Sequence, residues 1–414
     1  MFGRQWMGRA AVALCLLVTG GASADVLRVV EWNVSTYSSG RINEFQTAIY
    51  GSYQGRSMSP DVIIAQEFLS ASGVTNFVNL LNSASGSPGD WAAAPFSDGP
   101  DTDNAFFFRT SKVALATELS ATGMTIVATG GNDPNHPRDI NRYDIRLVND
   151  SADTFRMALY SSHMKASTGG TNQARRLLEA QRIRDDAQSL PPGWHFILGG
   201  DFNIRSSTEG AYVELVGSQS NNNGRFFDPI KTPGTWYNSS SFQIVHTQDP
   251  TGAGGMDDRF DQLLVSGGLV DGVGPDYIGN PNVAYSTSTW NDPNHSYRCW
   301  GNDGTTFNLA IKTTGNTMVG PTIAQALKDS ALNGGHLPVF LDLRVPPCVA
   351  DIDCDGSIDE TDIAGLADCL DGPDVTPDAS PTYLTAECLD AFDADDDGDV
   401  DLRDFDVFAS VLAN

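Results

Sequence analysis

In the run Phe196-Ile197-Leu198-Gly199-Gly200-Asp201-Phe202-Asn203, three consecutive apolar residues lead through two glycines to an acid and an amide. A strand buried on both faces reads this way, with its polar residues delivered where it leaves the core. Related arrangements recur five times. Trp32-Asn33 closes an apolar run from Leu27, Glu67 follows Val62-Ile63-Ile64-Ala65-Gln66, and Ser161-Ser162-His163 closes a run from Phe155. Arg259-Phe260-Asp261 opens a run through Leu263 and Leu264, and His336-Leu337-Pro338 precedes a run from Val339. Each alone is weak, because a strand-end Glu is usually solvated and Asp-Phe-Asn is commonly a turn. All six in one chain describe a scaffold that presents polar groups at its strand ends.

Candidate strands cover 27–34, 62–65, 105–109, 143–147, 155–162, 195–199, 260–266 and 339–343. The clearest helical pattern is 172–188, with Ala174, Leu177, Leu178, Ile183 and Ala187 as apolar positions. Its pairs Arg175/Glu179 and Arg182/Asp186, four apart, read as a solvated face. Strands mixed with helices predict an α/β (α+β) body over 25–345. Pro346-Pro347 is a short linker to a tail, 348–414.

The whole chain carries 25 Lys plus Arg against 52 Asp plus Glu, a net charge of −27. That balance argues against a broad basic surface that grips nucleic acid through phosphates. Most of it, however, sits in the tail, where 20 acids face Arg403 alone, a net −19 that leaves −8 for the other 347 residues. Residues 1–24 read as a secretory signal peptide: Arg4 and Arg9, a short apolar run from Ala10 to Thr19, then Ala22-Ser23-Ala24. The expected product is an exported protein with no membrane span, whose body carries about −10. Export permits disulfides among Cys348, Cys354, Cys369 and Cys388, for which three pairings are open. Cys299 is left as a thiol. His136, His195, His246 and His295 show no metal-ligand spacing.

The tail's acids are regularly spaced. Asp351, Asp353, Asp355, Ser357, Asp359 and Asp362 occupy positions 1, 3, 5, 7, 9 and 12 of a loop with Gly356 at position 6. Asp393, Asp395, Asp397, Asp399, Asp401 and Asp404 repeat the pattern 42 residues later, with Gly398 at position 6. This is the oxygen-ligand spacing of an EF-hand Ca2+ loop, with Asp in place of Glu at position 12. A helical pattern follows each loop and none is evident before either. Paired loop-helix units of this kind resemble a dockerin-type domain. That resemblance implies Ca2+ binding and docking onto a cohesin-like partner; the competing reading is a Ca2+- and cysteine-stapled appendage.

The six strand-end motifs of the body, taken in order, resemble the endonuclease/exonuclease/phosphatase family, which includes deoxyribonuclease-I-like nucleases, sphingomyelinases and inositol-polyphosphate phosphatases. The resemblance covers about 26–345 and implies a four-layer sandwich of two mixed β-sheets flanked by helices, with the site at one edge. It implies that Glu67 ligates Mg2+ or Mn2+ with Asn33 in the same metal site, and that Asp201 orients or deprotonates the attacking water. Asn203 would hydrogen-bond the phosphate, and Asp261 would fix the tautomer of His336. His336 and His163 would stabilise the phosphorane-like oxygens or protonate the leaving group. Arg109, Arg138 and Arg142 are candidate phosphate contacts or ordinary surface arginines. One departure stands out: the family places Asp directly before the final His, whereas this chain has Gly335. Asp257, Asp258 and Asp303 are candidates to replace it. The implied function is a secreted metal-dependent phosphoesterase acting on phosphodiester bonds, first a nuclease with DNA or RNA as substrate. A sphingomyelinase-like lipid phosphodiesterase or a phosphomonoesterase is the alternative. A binding protein that lost its metal site at Gly335 is the reading from another class.

Overall fold

A computed structural model describes residues 26–148, 155–272, 275–332 and 334–345, and in the tail 350, 352, 358, 360–379, 382–383, 385–395 and 397–412. The proposed leader, the proline linker and five ligand positions of the first acidic loop (Asp351, Asp353, Asp355, Ser357, Asp359) lie outside the described residues. The chain divides into two units, a body to Val349 and a tail from Ala350.

Among the described residues, fourteen strands build the body. They are β1 (Val26–Tyr37), β2 (Val62–Phe68), β3 (Trp91–Ala93), β4 (Asp103–Arg109), β5 (Val113–Leu115), β6 (Met124–Ala128) and β7 (Ile140–Leu147), then β8 (Met157–Ser161), β9 (His195–Asp201), β10 (Phe226–Phe227), β11 (Asp261–Ser266), β12 (Asp276–Tyr277), β13 (Arg298–Cys299) and β14 (Val339–Arg344). One mixed sheet runs β12-β14-β1-β2-β4-β3 with β13 beside β14; the other runs β10-β11-β9-β8-β7-β5 with β6 beside β7. Within each sheet one central pair is parallel, β1 with β2 and β8 with β9. The short strands β3, β5, β10, β12 and β13 have two or three residues, too few for a periodic signal in sequence.

Alternation along the strands explains the layers. Leu27 and Val29 of β1, Ile64 of β2, Leu159 of β8, Ile197 of β9 and Leu263 of β11 fill the space between the sheets. Val30 and Trp32, on the opposite face of β1, pack with Phe45 and Ile49 of α1 (Ile42–Tyr50), Phe77 of α2 (Ala71–Ser83) and Leu327 of α5 (Gly320–Ser330). On the second sheet, Tyr160 and Leu198 pack with Ile183 of α3 (Gly170–Gln188) and Leu215 of α4 (Gly210–Val216). The result is the expected four-layer α/β sandwich. Each buried Leu, Ile or Phe contributes about 2 kcal/mol.

Helix α3 differs from its reading in sequence. Ala174 is exposed, while Arg176, Glu179 and Arg184 are buried. Arg176 pairs with Glu209 at 2.5 Å and donates to two loop carbonyls. Glu179 accepts the Lys165 N–H, and burial lifts its pKa to about 8. Asp186 pairs with Arg142. The acids of both four-apart pairs therefore turn away from the arginine one turn before them, Glu179 to a backbone N–H and Asp186 to Arg142, 44 residues away.

The tail holds α6 (Glu360–Cys369), α7 (Thr385–Phe392) and α8 (Leu402–Leu412) around a small core of Ile352, Leu366, Ala391, Phe392, Val400 and Phe408. A helix thus does precede the second acidic loop; α7 has only eight residues and its signal is correspondingly slight. Cys369 and Cys388 form a disulfide joining α6 to α7. The two acidic repeats share one local device: Asp362 Oδ1 accepts the Ile352 N–H and Asp404 Oδ1 accepts the Ala394 N–H, position 12 to position 2 in each. No helix among the described residues is long and apolar enough to cross a membrane.

The paired glycines of β9 are demanded by close approach. A Cβ at Gly200 would lie 1.9 Å from the Ser162 carbonyl oxygen, and one at Gly199 would lie 3.1 Å from Glu31 Cγ. Gly200→Ala is expected to destabilise the body by about 3 kcal/mol, the upper end of overpacking costs, measured by urea denaturation.

Candidate active site

Five strands and the segment leading into β14 bring the residues singled out in the sequence to one edge of the sandwich. Asn33 comes from β1, Glu67 from β2, His163 from the segment after β8, Asp201 and Asn203 from β9 and its exit, Asp261 from β11 and His336 from the approach to β14. Asp261 and Asp201 are directly opposite across the β9–β11 ladder. The backbone departs from regular strand where it matters: β1 and β2 lose register after Asn33 and Gln66, and Glu67 and Asn203 adopt φ values of 67° and 53°. Side chains other than glycine rarely hold that left-handed conformation, and it re-aims both residues out of the pleat.

Asp201 Oδ2 is the centre of the cluster. It lies 3.2 Å from His163 Nε2, 3.5 Å from His336 Nε2 and 3.3 Å from the Asn33 amide nitrogen, which donates to it. Its other oxygen accepts the Asn203 N–H. On the far side of His336, Nδ1 meets Asp261 Oδ2 at 2.7 Å, and Asp261 is itself fully buried. The Trp32 indole donates to the His336 carbonyl and the Thr247 hydroxyl accepts the Asp261 N–H, so both partners are held from behind. Neither Trp32 nor Thr247 is distinguishable in sequence as a supporting residue.

The two imidazoles are driven apart. Burial pushes the His336 pKa down, but Asp261 and Asp201 together outweigh it and lift the value to about 10. Burial also lowers His163, and the charges of Arg138 and His336 add to that, so it falls well below the usual histidine range. At neutral pH His336 is an imidazolium and His163 is neutral. Burial raises Asp201 to about 6, with His336 opposing and Asp261 and Glu67 adding to the rise.

Glu67 is the carboxylate that the resemblance assigns to a cation. Its Oε1 accepts from Asn33 Nδ2 at 3.0 Å and its Oε2 from the Thr36 N–H at 2.8 Å. Asn33 Oδ1 is taken by the Ser35 N–H, so in this arrangement Asn33 orients Glu67 and Asp201. At Gly335 there is no room for an acid: a Cβ would lie 2.7 Å from Ser35 Oγ, the Leu332 oxygen and the Ala331 methyl. One carboxylate with hard oxygens nevertheless fits Mg2+, which commonly binds through one or two carboxylates plus substrate phosphate.

Of the acids proposed as substitutes, Asp303 is occupied by Thr305 and Thr317. Asp258 is buried and has one oxygen without a hydrogen-bond partner among the described residues; burial, then Asp257, raises its pKa to about 7, and it also senses Asp201 and His336. Arg142 is locked to Asp144 and Asp186, and Arg109 to Asp90 and Asp61. Only Arg138 of the three candidate arginines adjoins the cluster, donating to the His163 carbonyl.

Glu31 went unmarked as a site residue, although a charge inside Val29-Val30-Glu31-Trp32 is visible in the sequence. Both its oxygens are buried without a hydrogen-bond partner among the described residues, two residues down the inner face of β1 from Asn33. Burial, then Asp261 and Asp201, raises its pKa far above the carboxylate range, so the folded protein keeps it protonated.

No family model matches the chain, and no curated protein matches it either. Among solved structures it is similar to an endonuclease/exonuclease/phosphatase family protein from Bacteroides thetaiotaomicron, at 15% identity and TM-score 0.45 over 77% of this chain and 97% of that one. The catalytic domain of human Nocturnin with bound sulfate gives 16% and 0.44, over 77% and 94%. A mannosyl-6-phosphatase from Bacteroides thetaiotaomicron gives 14% and 0.42, over 77% and 99%. At these identities and scores the likeness assigns neither family nor activity, which the chemistry of the site has to carry.

Above pH 4.5 the unfolded chain releases the Glu31 proton that the folded state retains, so stability falls as pH rises. Glu31→Gln removes that dependence. Relative to the parent, its stability is expected to grow with pH by up to about 1.4 kcal/mol per unit, read from urea melts at pH 4 to 8.

Proposed function

We propose that the body is a phosphoester hydrolase that cleaves P–O bonds by attack of water, and that its substrate is a phosphodiester, first of all a nucleic acid. The observation that carries this reading is the shared carboxylate: Asp201 Oδ2 sits between a charged His336 and a neutral His163, with Glu67 beside them. Asp201, with a pKa near 6, is ionised at pH 7 and able to orient a water and accept its proton. His336, pinned by Asp261, presents Nε2–H and a positive charge to oxygens on which negative charge develops. Asn203 gives one amide N–H to the Met164 carbonyl and has a second for a phosphate oxygen. Mg2+ or Mn2+ on Glu67 would supply Lewis-acid polarisation of the phosphoryl group. Arg138 lies beside His163, where it is paired with Asp101 at 2.9 Å, and Arg205 lies near Asp257 and Asp258.

The tail reading accompanies it: a Ca2+-binding, dockerin-like unit that anchors an exported enzyme, with the leader 1–24 directing export. In the second loop the carboxylates of Asp393, Asp395 and Asp397 form one group whose ligand atoms lie within 4.8 Å of each other, and Asp399, Asp401 and Asp404 form another. That supports cation binding, since such carboxylates repel one another without one.

The test is hydrolysis of DNA, RNA, sphingomyelin and bis-p-nitrophenyl phosphate with Mg2+ or with EDTA. Metal-dependent turnover of a nucleic acid is expected, and His336→Ala should lower kcat by about 10² to 10⁴. The rate should rise through pH 6 as Asp201 loses its proton and fall near pH 10 as His336 loses its own. No turnover on any substrate would sink the enzyme reading, and turnover of lipid alone would sink the nuclease.

For the tail, Ca2+ is expected to raise its melting temperature and its helical circular dichroism. Asp393→Ala with Asp397→Ala should weaken that response. Capture by a cohesin panel with Ca2+ but not with chelator would separate docking from a mere staple.

A further inference from the structure

A second cationic feature lies away from the catalytic edge, on the outer face of the first sheet. A partly open cavity of about 290 Å³ is walled by Arg28, Arg56, Arg298, Trp290, Phe340 and Asp342, among others. Arg28 is five residues before Asn33 on β1, about 17 Å along the strand and on the opposite face. Nothing in the catalytic reading uses this cavity.

Its charge is unbalanced. Arg28 forms a two-point ion pair with Asp342, at 2.6 and 2.8 Å. Neither Arg56 nor Arg298 has a carboxylate partner among the described residues, so the wall carries two uncompensated positive charges. Both guanidiniums are nevertheless fixed in place. Arg56 donates to the Met318 and Thr317 carbonyls and lies over the Trp290 ring at 5.1 Å. Arg298 donates to the His295 and Tyr297 carbonyls at 2.5 and 2.7 Å. Carbonyl contacts and ring stacking orient a guanidinium without cancelling its charge. Arg56 Nη1 and Arg298 Nε keep N–H groups with no partner among the described residues.

We propose that this cavity is a binding site for a small phosphate monoester. Arg56 Nη1 and Arg298 Nε each offer a charge-assisted N–H donor on a guanidinium held in place, and the two unpaired positive charges match that of a tetrahedral dianion. The volume, at the low end of ligand pockets, suits a phosphate with one small organic group. Free phosphate, a nucleoside monophosphate and a sugar phosphate share that chemistry. The inference does not depend on what the catalytic edge hydrolyses.

Isothermal titration of the full chain with inorganic phosphate, AMP and glucose 6-phosphate tests it, with His336→Ala run in parallel to mark binding at the catalytic edge. At least one probe should bind in both the parent and His336→Ala, and the tightest identifies the class. Arg56→Met should weaken that binding about tenfold or more, the scale of one charge-assisted contact, while bis-p-nitrophenyl phosphate hydrolysis stays unchanged. Arg56 also ties loops together, so Asn291→Glu provides a second arm: this exposed residue of the cavity wall would place a negative charge at the mouth without touching an arginine contact. It should weaken binding comparably. Failure of all three probes to bind, loss of binding in His336→Ala, or binding indifferent to both cavity variants overturns the proposal.

Discussion

The ion pair between Asp261 and His336, 2.7 Å long and closed off from water, is the contact on which the polar cluster at the sheet edge depends. Burying either charge alone would be strongly unfavourable; together, and with Asp201 on the far ring nitrogen, they make an imidazolium that persists at neutral pH. The consequences spread outward. The charge on His336 helps to keep His163 neutral and moderates the rise of Asp201 caused by burial. One cation held between carboxylates thus adds to burial in fixing the protonation of its neighbours.

The same economy of space accounts for the paired glycines. At Gly200 the β9 backbone passes so close to Ser162 that no side chain fits, and at Gly199 the missing Cβ leaves room for Glu31 from the facing sheet. Glu31 then sits uncharged beneath the cluster. A protonated acid there adds no negative charge to Asp201 and Asp261, whereas an ionised one would strain both.

Legibility in sequence followed the range of the interactions. The strand-end motifs around Asn33, Glu67, Asp201, Asp261 and His336 were readable because a buried strand leaves a contiguous apolar run beside each polar residue. The left-handed turns at Glu67 and Asn203 were not, since neither position is a glycine. Helix α3 hides its inner face for a related reason: Arg176 is buried against Glu209, 33 residues on, and no helical periodicity contains that partner. Asn33 is intermediate, visible as a site residue, while the hydrogen bonds that turn its nitrogen toward Glu67 and Asp201 belong to three dimensions. The tail's repeat was legible because its signal is spacing itself, yet α7 before the second loop was too short to announce itself.

The pairing of Val26 with Arg344 and Leu27 with Leu343 has a consequence for the body as a module. Its first and last described strands lie side by side, so the sheet is completed by the two ends of the body meeting. Every strand of the body finds its partners before the tail begins. Appending, exchanging or deleting a C-terminal unit therefore breaks no ladder, and the adjoining ends would tolerate being joined and the chain opened elsewhere. Architecture of this kind lets a folded body acquire a further unit by simple fusion.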